Sequence, residues 1–154
     1  MLSQPRPPDQ SVIVQPATWR DLRPLLLLEK ICFGRDVWSL LDTLAALTYP
    51  QTVRLKAIVD GRVVGFIIGD RRRGNNLGWI ASLGVHPDYR RRGIARSLLA
   101  ACEGKLAMPR IRLTLRSTNE AALCLYQQMS YVEIDIWKRY YRRGEDAIVM
   151  EKVR

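Results

Sequence analysis

The stretch Leu83-Gly84-Val85-His86-Pro87-Asp88-Tyr89-Arg90-Arg91-Arg92-Gly93-Ile94-Ala95 decides how the chain is read. It starts as the end of an apolar strand and finishes as the start of an amphipathic helix. Ile94, Leu98, Cys102 and Leu106 recur every four residues, with Leu99 beside them, which marks a helix buried along one face. Between the two elements, His86 to Tyr89 reads as a turn. Three arginines then precede Gly93. A helix start carries open amides and a partial positive charge, so it favours an anion. Gly93 has no Cβ to hold a ligand off the backbone, and Ala95 is small in the same way. The arginines add long-range attraction and can pair with phosphate oxygens. The stretch is therefore a candidate pyrophosphate loop, with a nucleic-acid footprint as the other reading of the arginines.

Working outward, the chain reads as alternating short elements. Residues 1–10 are proline-rich and are expected to be a flexible tail, with one domain over 11–154. A strand is expected at Val12–Gln15, then a helix capped by Thr18 with Asp21 at capping-box spacing and running to about Ile31. Leu40, Leu41, Leu44 and Leu47 predict a second helix over Ser39–Leu47. Strands follow at Val53–Val59 and Val63–Ile68, joined by the turn signal Asp60-Gly61. A polar loop at Asp70–Asn76 leads to a strand at Leu77–Val85. After the central helix come a strand at Ile111–Leu115, a helix at Asn119–Met129, and strands at Tyr131–Trp137 and Ala147–Met150. The order is β-α-α-β-β-β-α-β-α-β-β. Its middle strand–helix–strand unit implies a parallel crossover, expected to be right-handed.

Composition narrows the class of function. The chain has 154 residues, 47% of them hydrophobic and 26% charged, enough for one core. No apolar run reaches the ~18 residues of a membrane-spanning helix, and the polar N-terminus does not read as a signal peptide. Three widely spaced cysteines, Cys32, Cys102 and Cys124, form no C-x-x-C pair, which argues against a zinc site or a disulfide framework. Cys102 and Cys124 are expected as small core residues in a reducing compartment, the cytoplasm. The net charge of +10 attracts anionic cofactors, acidic peptides, nucleic acid or a ribosome surface without choosing among them.

Three blocks together resemble the GNAT superfamily of acetyltransferases. Arg90, Gly93 and Ala95 match the family's core pattern: Gln or Arg, two residues, Gly, one residue, then Gly or Ala. Arg116-Ser117-Thr118-Asn119 through Tyr126 looks like its strand end, Asn-started helix and tyrosine. Lys138-Arg139-Tyr140-Tyr141 with Glu145-Asp146-Ala147 and Met150 is similar to the tail of RimI-like ribosomal-protein alanine acetyltransferases. The resemblance covers roughly Leu55 to Glu151. It implies an α/β (α+β) fold: a mixed, mostly antiparallel sheet of six to seven strands flanked by about four helices. It implies transfer of acetyl from acetyl-CoA to an amine, by direct attack in a ternary complex.

The resemblance also implies roles. The backbone of Leu83, Gly84 and Val85 would pair with the pantetheine arm, and the amide near Val85 would face the developing oxyanion. Arg90, Arg91, Arg92, Gly93, Ile94, Ala95, Arg96 and Ser97 would hold the pyrophosphate. Asn119 would bond the pantetheine region and Tyr126 would protonate the leaving sulfur. Asn119 and Tyr126 lie seven positions apart, two helical turns, so an extended arm can meet both. Phe33, Trp38, Tyr140 and Tyr141 would line the acceptor groove.

One departure stands out. Thr114 occupies the position where RimI-like enzymes carry a glutamate base, and Trp79 the position where other N-terminal acetyltransferases carry a tyrosine. Ser82 and Thr114 hydroxyls ordering water, Glu29, His86, or no base at all are the alternatives. An α-amine is neutral far more often at pH 7 than a lysine, so a weak base favours an α-amine. The acceptor expected first is a protein N-terminus, with a ribosomal protein as one candidate. A small amine or a lysine, and a non-catalytic RNA- or ribosome-binding module, are the competing readings.

Overall fold

The computed structural model describes residues 11–34 and 48–154. The tail 1–10, Trp38 and the helix expected over Ser39–Leu47 lie outside the described residues. Seven strands form one sheet: β1 (Ile13–Pro16), β2 (Thr52–Val59), β3 (Arg62–Arg72), β4 (Leu77–Val85), β5 (Arg110–Arg116), β6 (Val132–Trp137) and β7 (Ala147–Val153). Their spatial order is β1-β2-β3-β4-β5-β7-β6. Every neighbouring pair is antiparallel except β4 with β5. Among the described residues there are three α-helices: α1 (Leu22–Phe33), α2 (Ile94–Leu106) and α3 (Glu120–Gln128). The fourth helix of the expected four is the one that falls in the undescribed segment.

Alternation along β3 places a layer on each side of the sheet. Ile67 joins the large core under α2 with Leu98, Leu99, Cys102 and Leu106. Phe66 and Ile68 face the opposite way and pack with Leu25 and Leu28 of α1. β2 and β3 meet at Asp60 and Gly61, both at positive φ, 49° and 75°, as a tight hairpin twisted with its strands requires. α2 then carries the chain from β4 to parallel β5, the crossover expected from sequence.

Several boundaries differ from the sequence reading. β3 continues through Arg72 into the expected polar loop, because Asp70 and Arg72 find partners at Trp79 and Leu77. β7 continues to Val153 because β5 starts at Arg110 and offers it a matching edge. Thr18 leads into a short 3-10 turn, Trp19–Asp21, before α1 begins at Leu22. The Asp21 carboxylate accepts from Thr18 N at 2.8 Å and from Lys56 Nζ at 2.8 Å. Cys124 is exposed, not a core residue; α3 turns Leu125 and Tyr126 inward instead. Glu29, one of the alternative bases, is 1% exposed, on the buried side of α1.

β6 is the outer strand of the sheet. Val132, Ile134 and Ile136 are exposed along it. A register shift lies between Glu133 and Asp135, and the Asp135 carboxylate accepts from Ile136 N and Trp137 Nε1.

Candidate active site

The parallel ladder between β4 and β5 stops at Ile80 and Leu113. Beyond it Ala81 bulges out of register, and Ser82–Val85 stay paired with β3 but have no partner on β5, whose own end pairs only with β7. The strands part and leave a cavity of about 340 Å³. Ser82 and Leu83 form one wall and Thr114 and Arg116 the other. Asn119, Tyr126, Phe33, Tyr140 and Tyr141 complete the lining.

The candidate anion loop sits at the end of β4. Gly93 caps α2 at φ 79°, and Arg91 two residues earlier stands at φ 61°. Such a reversal turns successive amides toward one concavity and suits an anion. Gly93 is open, with nothing near a notional Cβ, so its positive φ explains the glycine there. Ile94 sends its side chain into the core at 1% exposure, so it offers only its amide. Ala95 packs partly against the same core. The amide of Ser97 is already bonded to Gly93 O at 3.0 Å, which leaves its hydroxyl.

The arginine side chains divide their work. Arg90 Nε turns back and donates to Val85 O at 3.1 Å. Cys32 Sγ donates to the same carbonyl at 3.4 Å. The end of β4 is thus gripped from the loop and from α1. Burial raises the Cys32 thiol pKa above its ordinary value, more than Arg90 lowers it. Arg92 lies over the Tyr89 ring at 5.1 Å, and Arg96 donates to Gln128 Oε1 at 2.6 Å. Arg91 is exposed.

Asn119 is the N-cap of α3, accepting from Ala122 N at 3.1 Å. Its amide edge faces the cavity that Tyr126 also lines. Tyr126 is 8% exposed and packs edge-on against Tyr131 at 5.8 Å. Burial, then the neighbouring Tyr141, pushes its pKa up to about 12. Tyr131 donates to Glu103 at 2.8 Å, a buried carboxylate that Lys152 also holds at 2.9 Å. This network fixes the ring against which Tyr126 rests.

On the acceptor side, Arg116 pairs with Glu145 at 2.9 Å and lies 4.5 Å over the Tyr141 ring. Sequence reasoning missed Arg116; its only signal was its place just before Asn119. Tyr140 and Tyr141 meet edge to face at 5.1 Å. Trp79 is not among the cavity residues; it stacks on Trp137 at 6.1 Å. His86 Nδ1 accepts from Asp88 N at 3.1 Å, which commits it to the turn. Ser82 and Thr114 do face the cavity. Among the described residues no cluster of His, Cys, Asp or Glu could hold a metal ion, and no helix is long and apolar enough to cross a membrane.

A sheet opened at one parallel pair, with helix amides at the opening and a buried phenol inside, fits a long anionic thioester carrier. The chain belongs to the acetyltransferase (GNAT) family, whose sequence model matches residues 19–131. It is 36% identical over 100 residues to an acetyltransferase of Pectobacterium atrosepticum, covering 62% of this chain and 68% of that one. An N-alpha-acetyltransferase of Saccharolobus solfataricus is 34% identical over 110 residues, 62% of this chain and 66% of its own. The ribosomal-protein-S18-alanine N-acetyltransferase from Escherichia coli superposes with a TM-score of 0.83 at 25% identity, over 93% of this chain and 94% of that one. Arabidopsis thaliana NAA60 in complex with acetyl-CoA shares the fold with a TM-score of 0.80 at 19% identity, over 93% and 98%. The chain is therefore an N-acetyltransferase that uses acetyl-CoA, and the parted strands and first-turn amides fit that cofactor.

Proposed function

We propose that this chain acetylates the α-amine of a protein or peptide N-terminus. The observation that carries the reading is the single cavity that joins the parted strands, Tyr126 and the phenols of Tyr140 and Tyr141. Acetyl-CoA, when bound, supplies an acetyl group activated as a thioester. In this reading the backbone of Leu83, Gly84 and Val85 holds the pantetheine arm as an added strand would. The amides of Gly93, Ile94, Ala95 and Arg96 meet the pyrophosphate, with the Ser97 hydroxyl beside them. Asn119 keeps the arm aligned along α3. The Val85 amide faces the carbonyl oxygen as negative charge develops there. Tyr126 keeps its proton well above neutral pH and gives it to the departing sulfur.

Proton removal from the acceptor is the step with the lightest provision. Thr114 and Ser82 bring hydroxyls that can order water but cannot hold a proton at neutral pH. An α-amine, ordinarily near 7.7–8.0, arrives partly neutral; a lysine near 10.4 does not. The same preference marks the Saccharolobus and Escherichia relatives, whose names describe α-amine substrates. Three free cysteines fit a reducing compartment such as the cytoplasm.

The test is release of free CoA with three kinds of acceptor: peptides with free N-termini, N-blocked peptides containing lysine, and small polyamines. Turnover confined to free N-termini supports the reading. Equal or better turnover of blocked lysine peptides or polyamines would overturn it.

A further inference from the structure

A row of rings leads away from the cavity. Tyr141 meets Tyr140 at 5.1 Å, Tyr140 meets Trp137 at 5.3 Å, and Trp137 stacks on Trp79 at 6.1 Å and 11°. A guanidinium covers each end, Arg116 over Tyr141 at 4.5 Å and Arg72 over Trp79 at 4.8 Å. Only Tyr140 and Tyr141 line the cavity itself. Tyr140 is 54% exposed, and Trp79 and Trp137 are half-buried, so the row presents a surface.

The two guanidiniums differ. Arg116 is 24% exposed and held by Glu145 at 2.9 Å. Arg72 is 50% exposed, and its contact with Asp70 is a long 3.7 Å through Nε alone. A guanidinium has five donors in a planar fork that suits a carboxylate, so Arg72 keeps donors to offer. The approach to the row is positive as well. Glu145 is taken up by Arg116 and Thr118, and Asp146 by Lys138 and the Arg139 amide, while Arg142 and Arg143 in the same loop are exposed.

We propose that this row is the track for the acceptor chain beyond its first residue, and that Arg72 at its far end selects acceptors with a carboxylate about four to five residues from the N-terminus. The inference rests on the N-terminal reading above. An extended chain advances about 3.3 Å per residue, so three ring-to-ring steps match roughly four to five residues. Flat rings give such a chain apolar contact at small entropic cost, and the charge at the end sets the choice of sequence. A basic segment meets Arg142 and Arg143 at the near end of the row and Arg72 at the far end; between them the Asp135 carboxylate is bonded to Trp137 Nε1.

The experiment is a steady-state scan with eight-residue peptides that have free N-termini. One aspartate, or one lysine, is moved from position two to position seven of a neutral background. KM is expected to be lowest with the aspartate at four or five, about two- to five-fold below the neutral peptide, as one partly exposed ion pair allows. Lysine at the same positions raises KM. Arg72→Glu reverses both trends, and a melting curve taken alongside shows the variant folded, since Arg72 is the exposed last residue of β3. An aspartate that lowers KM equally at every position overturns the track in favour of general steering. So does an Arg72→Glu variant that shifts acidic, neutral and basic peptides by one common factor. If free N-termini are acetylated without positional preference, the track alone fails; if none is acetylated, the N-terminal reading fails and takes the track with it.

Discussion

Ile80 and Leu113 are the last residues paired across the parallel strands β4 and β5. Everything chemical in the molecule begins one residue further on. The sheet needs a reason to open there, and β5 supplies it by keeping its partner β7 to the end at Arg116 and Ala147. β4 stays with β3 as far as Gly65 and Val85. Two antiparallel halves each remain satisfied while the seam between them parts.

Tyr126→Phe removes one hydroxyl from a buried ring and leaves its packing against Tyr131. We expect kcat to fall about 10²-fold or more, within the range for a general acid. KM for acetyl-CoA should change little. Initial rates at saturating acceptor, with a melting curve as control, check this. A kcat within a factor of three of wild type would assign the proton to another group.

The pH profile should rise and then stay level. Tyr126, with its pKa pushed up to about 12 by burial and then by Tyr141, keeps its proton across the working range. The rise then follows loss of the acceptor's own proton, near 7.7–8.0 for an α-amine. Acceptors with lower amine pKa values should move the inflection of kcat/KM down with them. An alkaline fall below about pH 10 would contradict the shift at Tyr126.

The same shift is a statement about stability. Tyr126 has a folded pKa above its ordinary value of 10.0, so its contribution is complete below pH 10 and is lost as pH climbs toward about 12. Tyr131 moves in the same direction, through burial and its bond to Glu103. Denaturant midpoints measured from pH 9 to 11.5 should therefore fall, and Tyr126→Phe should fall less steeply. Equal slopes for the two proteins would remove Tyr126 from the account.

Gly84→Ala tests the packing beneath the cofactor strand. A Cβ there would stand 2.8 Å from the Phe66 ring and 3.2 Å from Cys32 Sγ. Phe66 is 1% exposed and cannot step aside cheaply. We expect a loss of about 1–3 kcal/mol, the usual cost of overpacking, and a higher KM for acetyl-CoA as β4 shifts. Pairing the change with Phe66→Leu should return part of both. Unchanged stability in Gly84→Ala alone would mean that the strand is softer than its contacts suggest.

The anion loop and α2 were legible because their signals are local. A helix stripe, a glycine and a cluster of arginines all sit within one short run, and α2 spans the expected Ile94–Leu106. What sequence could not give is set by partners far along the chain. The Trp79–Trp137 stack joins two strands that are not neighbours in the sheet, and no pattern in either segment announces it. Glu29 is instructive. Leu25, Leu28, Glu29 and Cys32 share one helical face by spacing, so periodicity pointed inward while residue type pointed outward. The structure follows the spacing. Cys124 failed for a different reason: it lies four residues after Glu120 and four before Gln128, on the polar face of α3, so the spacing pointed outward while residue type pointed inward.

The outer strand β6 has a further consequence. A strand lined with Val132, Ile134 and Ile136 at the rim of a sheet invites another chain to add on. Here the rim is interrupted by the register shift between Glu133 and Asp135, and the Asp135 carboxylate takes up the Ile136 amide and the Trp137 indole N–H. Such an interruption guards the rim against edge-to-edge pairing between copies, and Asp135→Val should show that protection lost as turbidity on standing.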